Sequence, residues 1–498
     1  MHKMVLKMYK TDRQISLAEF QSPFGKLNEN NRWVQIANMI PWEKYEKRYA
    51  ERFCSDNGAP AKPFRMAMGA LIIKQRTGHS DDEVVNDVLE NPYMQFLIGL
   101  HEFVTEPPFS QSSMTSFRKY ITQEMIDEIN EDLFRPKKKD DDDDTPSSGD
   151  KEECIDENKK PENKGSLLLD ATCAPANMAY PTDINLLNEA REKLEGIIDT
   201  LHRNSEEKIK PRTYRQEARK RYLRFVKQRK PRKNTIRKAR GQQLRYVRRN
   251  LNHIEKQLEK VSTEALSTRQ KVWLETIKEL YAQQEEMHRT RTFSIENRIV
   301  SISQPWVRPI VRGKAKCDTE FGAKVTISMV DGFAFVDKLS WDAYNEESLL
   351  IPAVTAYYEN YGVYPETVLA DKLFRNRKNL AFCKKHGIRL SGPRLGRQTA
   401  QTKKLQYRQE RKDASARNAV EGKFGEGKTK YGLDRIMARL QRASETVISM
   451  VFLCMNISHR LRVLLPFFLW QLFSHNFAKK SVDNFLQKRL FYNHSVFE

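Results

Sequence analysis

Two short apolar runs in this 498-residue chain each close on a lone aspartate. The first is SLLLD, ending at Asp170, and the second is VLAD, ending at Asp371. A third acid, Glu421, falls in ARNAVEGKFGEGKTK, a stretch with helical composition. Taken singly, each has a plain reading: an Asp after a strand caps a turn, and a helical Glu faces water. Taken together, two strand ends and one helix can bring three carboxylates to one point. Hard divalent cations take such oxygen ligands. Two of them about 3.5–4 Å apart activate a water or a 3′-hydroxyl and stabilise the leaving oxygen of an in-line attack on phosphorus. The helix suits that chemistry. Arg417, Glu421, Phe424 and Lys428 recur at i, i+4, i+7 and i+11, which puts them on one face. Glu421 would reach the metal, Phe424 would pack on a sheet, and Arg417 and Lys428 would hold phosphates. Lys372, beside the second acid, reads either as a phosphate contact or as a solvated lysine.

Other elements must position these residues. Over 20–130 the pattern is helical. PFRMAMGALIIKQRTGHSDDEVVNDVLENPYMQFLIGL holds two apolar-faced segments, with Gly78 ending one and Ser80 opening the next. Ser113 is the expected cap of a further short helix. Both a helix–turn–helix and a plain helical packing domain fit this stretch. Residues 136–165 are charged and rich in Pro, Ser and Gly. The run Asp140 to Asp144 inside them reads as a solvated, disordered linker and not as a metal site.

After SLLLD the character changes. Leu187, Ala190, Leu194, Ile197 and Leu201 follow helical spacing. So do Leu244, Val247, Leu251, Ile254, Leu258 and Val261, and then Trp273, Ile277, Leu280 and Met287. Three amphipathic helices in a small antiparallel bundle are expected. Residues 201–260 hold 22 Lys and Arg against 5 Asp and Glu, a net +17 out of +22 for the chain. Tyr214, Tyr222, Phe225 and Tyr246 interleave with Arg221, Arg224, Arg229, Arg232, Lys233, Arg237, Arg245, Arg248 and Arg249. Solvated helices mix both signs, so a one-sign face with aromatics points to nucleic-acid phosphates and stacked bases.

Strands return in AKVTISMVDGFAFVDKLS, where Asp331-Gly332 is a two-residue hairpin turn. A helix is expected around SLLIPAVTAYYENYG, and a strand at HGIRLSG. PRLGRQTAQTKKLQYRQERKD reads as a basic, mobile segment, after which the Glu421 helix begins.

The six cysteines are scattered without a CxxC pair, as expected for reduced intracellular thiols. The pI of about 9.5 calls for a polyanionic partner. The N-terminus lacks a signal-type apolar core. TVISMVFLCMNISHRLRVLLPFFLWQLF is broken by Asn456, by SHR and by Pro466, so a core helix and a cytosolic protein are expected.

These blocks together resemble the DDE transposases of bacterial insertion sequences. LLLDATCAPANMAYPTDINLLNEA resembles the first-aspartate block, VLADKLFRNRKN the second, and RNAVEGKFGEGKTKYGLDRI the glutamate block. Arg417, Glu421 and Lys428 match the family spacing R-x3-E-x6-K, and the segment from Pro63 to Leu100 resembles the InsH-type N-terminal domain. The resemblance implies an RNase H-like mixed α/β sheet flanked by helices. It places an α-helical DNA-binding domain at 1–135, a linker at 136–165 and the catalytic domain at 166–185 and 296–465. A basic, coiled-coil-like helical insertion at 186–295 would separate the first and second core strands, with a C-terminal tail at 466–498. It further implies metal ligation by Asp170, Asp371 and Glu421 with two Mg²⁺ (Mn²⁺ substituting), and double-stranded DNA as partner. It also implies a homodimer in the DNA synapse, nucleoid association and no membrane. Two departures stand out. Ala414 replaces a tyrosine that some relatives carry three residues before the arginine, which removes support for a hairpin step. The insertion also lies elsewhere than the β-rich insertion of some relatives. A metal nuclease that cuts without joining, a non-catalytic DNA-binding derivative and a membrane-surface protein are the competing readings. The last is disfavoured because the basic helices lack a broad apolar face.

Overall fold

A computed structural model describes residues 14–53, 60–135, 162–311, 319–393 and 400–463, with backbone alone at 400–405. Most of the expected linker and the whole 466–498 tail lie outside these residues.

Seven N-terminal helices are described: α1 (Arg32–Met39), α2 (Trp42–Ala50), α3 (Phe64–Thr77), α4 (Asp81–Glu90), α5 (Pro92–Leu97), α6 (Gln111–Tyr120) and α7 (Gln123–Phe134). α3 is the central one, with every residue from Phe64 to Ile73 buried. Gly78 ends it at φ 75°, a left-handed turn that glycine adopts without strain. Ser80 opens α4 with a capping box to Glu83. The cap of α6 is Ser110, not Ser113. Ser113 sits inside the first turn, where its hydroxyl reaches only Ser110 and caps nothing.

The sheet is formed by β1 (Ser166–Pro175), β2 (Arg308–Val311), β3 (Thr319–Val330), β4 (Phe333–Ser340), β5 (Thr367–Leu369) and β6 (Arg389–Leu390). Its order is β2-β3-β1-β5-β6, with β4 also on β3. β1 pairs antiparallel with β3 and parallel with β5, so it is the junction of the two halves. The β3–β4 hairpin turns on Asp331 (φ 49°) and Gly332 (φ 83°), the paired positive φ of a type I′ turn.

β1 does not end at Asp170. It runs five residues further, pairing with β3 through Pro175↔Gly322. Ala171, Thr172, Cys173 and Ala174 look turn-prone because they are small, yet small residues fit a strand enclosed on both faces.

Helices cover both faces. On one side Leu168, Ile327 and Met329 share a core with the N-terminal helices, with Val420 and Phe424 of α14 (Ala400–Lys430), and with α15 (441–463). On the other, Leu167, Leu169 and Val330 pack against α12 (Leu350–Tyr361) and α13 (Arg377–Lys385). α15 runs through Asn456, and among the described residues no helix is long and apolar enough to cross a membrane. Asn456 is fully buried because its amide is satisfied: Nδ2 donates to Asn130 Oδ1 at 2.8 Å and to the Ala334 carbonyl at 2.7 Å, and Oδ1 accepts from the Ala334 amide. That network ties α7, β4 and α15 together.

α14 begins well before Ala414. The stretch expected to be mobile is its N-terminal half from Ala400. It carries no apolar stripe, so periodicity does not reveal it. Side-chain pairs one turn apart support it instead, Gln406 with Glu410 and Gln409 with Asp413. Asp413 is also clamped by both guanidinium nitrogens of Arg389 on β6, at 2.7 and 3.0 Å.

Between β1 and β2 run α8 (Asp183–Arg203), α9 (Arg215–Val226), α10 (Lys233–Leu258) and α11 (Thr268–Thr290). α8, α10 and α11 are the three amphipathic helices, and they enclose a core of their own. α9 is additional; Ala218 is its single buried residue, which explains its weak apolar signal.

Candidate functional site

The register of the sheet brings the two aspartates together. Leu168 and Leu369 form the last parallel pair, and Asp170 and Asp371 each follow two residues on, near enough for the charge of Asp371 to act on Asp170. β5 stops at Leu369 while β1 continues. Among the described residues β1 then has no strand partner on that side until the Pro175 carbonyl accepts from the Ile436 amide at 2.8 Å, and a notch opens at the junction of antiparallel and parallel halves. Open α/β sheets bind ligands at such strand ends.

Local bonds fix each acid. Asp170 is half-buried, and its Oδ1 accepts from the Ala171 amide at 2.8 Å. Asp371 caps the single 3₁₀ turn Lys372–Phe374, with Oδ1 accepting from the Lys372 amide at 2.7 Å. Arg417 Nη1 stands 3.7 Å from that same oxygen. Burial pushes the Asp170 carboxyl above the usual carboxylate range. The Ala171 amide and Arg417 oppose this, while the charges of Glu346 and Asp371 add to it.

α14 lies over the site. Val420 and Phe424 are buried on its inner face, as expected for Phe424. Arg417 reaches the acids, whereas Glu421, one turn on, is exposed. Lys428 is half-buried and Lys372 is exposed. Among the described residues no three of His, Cys, Asp and Glu are gathered closely enough to hold a metal ion as they stand. In kind the donors suit a hard cation: two carboxylates side by side, one desolvated, with few donors from the protein.

The basic surface is on the bundle. Arg221, Arg224, Arg229, Arg232, Lys233, Arg237, Arg245 and Arg248 are exposed. Arg221, Arg245, Arg248 and Arg249 line a shallow groove between α9 and α10 with Gln242, Tyr246 and Asn252. The aromatics are less available than the sequence suggests. Tyr246 is buried, and Tyr222 is half-buried with its hydroxyl on Asn185. Tyr214 is exposed, but its ring lies between the guanidiniums of Arg212 and Arg249, at 4.7 and 4.6 Å.

Residues 368–458 match the family described as transposase DDE domain, and residues 22–120 match the transposase domain DUF772. Both matched spans are transposase domains, which supports an insertion-sequence DDE transposase. A relative is the uncharacterized protein ORF8 in the nfe locus of Rhizobium meliloti, 28% identical over 168 residues, which are 34% of this chain and 73% of that protein. No solved structure matches. The DDE match takes in Asp371, Arg417, Glu421 and Lys428; Asp170 and the basic bundle lie outside both matched spans.

Sequence reasoning missed several charged residues of this chain. Glu346 bears on Asp170 and is ion-paired to Lys324 at 2.7 Å. In NEESLL it looks like the ordinary acid of a helix start, and its signal is hidden there. Lys423 is buried and donates to the Gly332 carbonyl at 3.0 Å, and burial pushes its ammonium down to about 8. Asp183 is the first residue of α8 and does not cap it; Thr182 does. Asp183 instead accepts from Arg298 at 2.6 Å and from Arg240 and Gln284 at 3.1 Å each, which fastens three helices to the segment that leads into β2.

Proposed function

We propose that this chain binds the terminal inverted repeats of its insertion sequence and catalyses metal-dependent DNA cleavage and strand transfer. The single observation that carries the reading is the parallel pairing of β1 and β5, from whose last pair, Leu168 with Leu369, both aspartates follow two residues on. Glu421 approaches from α14 as the third ligand, and the mixed sheet flanked by helices supports an RNase H-like catalytic unit. Bound Mg²⁺ would supply the Lewis acid that activates water or a 3′-hydroxyl and stabilises the leaving oxygen. Arg417 neutralises Asp371 in the free protein and would turn to a DNA phosphate; Lys372 follows Asp371 directly, and Lys428, about three turns beyond Arg417 on α14, would hold phosphate further along the helix. Exposed arginines of α9 and α10 hold the duplex backbone, and the N-terminal helices share recognition of the repeats. Two copies pair the element's ends in a synapse. In this reading the chain works on the nucleoid.

A duplex bearing the element's end, incubated with protein and Mg²⁺, is expected to give nicked and joined products. Asp170→Ala, Asp371→Ala and Glu421→Ala should each remove both while DNA binding persists. A variant that joins DNA normally would exclude its residue as a ligand. Nicking without joining would favour a metal nuclease, and no product from any protein would favour a DNA-binding derivative.

A further inference from the structure

The turn before α12 supplies the observation. Residues Glu346–Leu349 form a 3₁₀ turn that leads into α12, on the sheet face opposite α14. It is fastened to the segment that follows Asp371. Asn376 Nδ2 donates to Glu347 Oε2 at 3.1 Å, and Asn379 Nδ2 donates to the Glu347 carbonyl at 2.8 Å. From the other side, Lys324 Nζ on β3 lies 2.7 Å from Glu346 Oε1. Lys324 is itself held: it donates to the Tyr344 carbonyl at 2.8 Å and stands over the Tyr344 ring. Only 17% of the Lys324 side chain and 20% of the Glu346 side chain meet solvent. Such a pair is weakly screened by water and salt. β3 is the strand paired with β1 through Asp170↔Ile327, so Glu346 sits between the strand of one aspartate and the turn of the other.

The charges do not balance. Among the described residues Arg417 is ion-paired with Asp371 and Lys324 with Glu346, while Asp170 meets the charge of Arg417 without a close ion pair. Glu421 adds a fourth negative charge from α14. We infer that Glu346 is a positioning residue of the acidic site, raising its affinity for divalent cations by charge and through bound water, with Lys324 as its counter-ion in the free protein. The Coulomb effect of Glu346 at Asp170 is in keeping with this. The inference rests on the metal-site reading above. A purely structural role for Glu346 would be to hold the turn through Lys324, and it would leave cation affinity untouched.

The test is Mn²⁺ binding to the full chain without DNA, followed by electron paramagnetic resonance of the free ion. Glu346→Gln keeps the shape and removes the charge. It is expected to weaken Mn²⁺ binding by about tenfold, as loss of an outer-shell carboxylate does. The Mg²⁺ concentration for half-maximal nicking should rise in parallel while the rate at saturating Mg²⁺ stays close to wild type. Glu347→Gln, next in sequence but bonded to asparagines, should bind Mn²⁺ as the wild type does. Wild-type affinity in Glu346→Gln, with binding lost in Asp170→Asn, overturns the inference and leaves the metal-site reading standing. Wild-type affinity in both overturns both. Should Glu346→Gln fail to fold, Lys324→Met takes its place: freeing Glu346 should tighten Mn²⁺ binding several-fold, and unchanged affinity overturns the inference.

Discussion

The sheet and the bundle carry charge in opposite ways. The sheet holds a few acids, partly or wholly enclosed, each with one or two partners. The bundle holds a net +17 over sixty residues, nearly all of it facing water. Charges that are few and desolvated act strongly on each other, while exposed charges act through their sum and are screened by salt. Single substitutions should therefore be decisive in the sheet and nearly silent on the bundle's surface. The bundle's interior is the exception, because Asp183 gathers two arginines and a glutamine onto one carboxylate.

The largest effect tests the sheet. Asp170→Asn should cut nicking by about a thousandfold, since metal stabilisation of the reacting oxygens is worth several kcal/mol and 1.36 kcal/mol is tenfold. Quenched time courses on an end-bearing duplex measure it, and a loss below tenfold would break the contrast at its strongest point. Next comes the bundle's interior. Asp183→Ala leaves Arg240 buried without its carboxylate and should cost about 3 kcal/mol of stability, read by urea unfolding.

A third prediction concerns Asp337 on β4, whose carboxyl burial pushes up to about 7, with Arg135 and Ser328 opposing the rise. The folded chain then holds a proton that the unfolded chain has released above about 4. Stability from this group is fully present below that range and falls as pH rises towards 7, then levels off. Urea midpoints of the wild type should drop between pH 5 and pH 7.5 by more than those of Asp337→Asn; equal drops would refute it.

The smallest effects belong to the bundle's surface. Removing Arg221, Arg245 and Arg248 together should lower the slope of log affinity against log salt by about 2 to 3, roughly 0.9 for each phosphate no longer neutralised. Arg221→Gln alone should change DNA affinity by about threefold or less, because its partner Glu217 is itself exposed and such pairs are worth little. A large effect from Arg221 alone would show that the groove reads a particular phosphate and would erase the distinction between the two regions.

Much of this was legible in the sequence for a physical reason. A lone carboxylate closing an apolar run is costly unless something compensates it, so Asp170 and Asp371 stand out in a linear reading. Their adjacency was not legible, because it comes from the parallel register of strands 201 positions apart in the chain. The extent of β1 was hidden because Ala171 to Ala174 have no alternation of their own, and their pairing with β3 lies far along the sequence. The first half of α14 was hidden because it is held by side-chain pairs and by Arg389, with no apolar stripe to betray it. Glu346 was hidden by a sufficient local explanation as the acid of a helix start. The bundle's three apolar helices were plain, but Asp183 could not be read as their clasp, since its partners arrive from Arg240, Gln284 and Arg298.

That clasp has a consequence for how the bundle is attached. Arg298 bonds Asp183 across 115 positions of chain, so the point where the polypeptide leaves the sheet and the point where it comes back are one ion pair apart. To the sheet, four helices are a single graft on a narrow stem. Changes at the far ends of these helices are therefore expected to leave the two aspartates in their places.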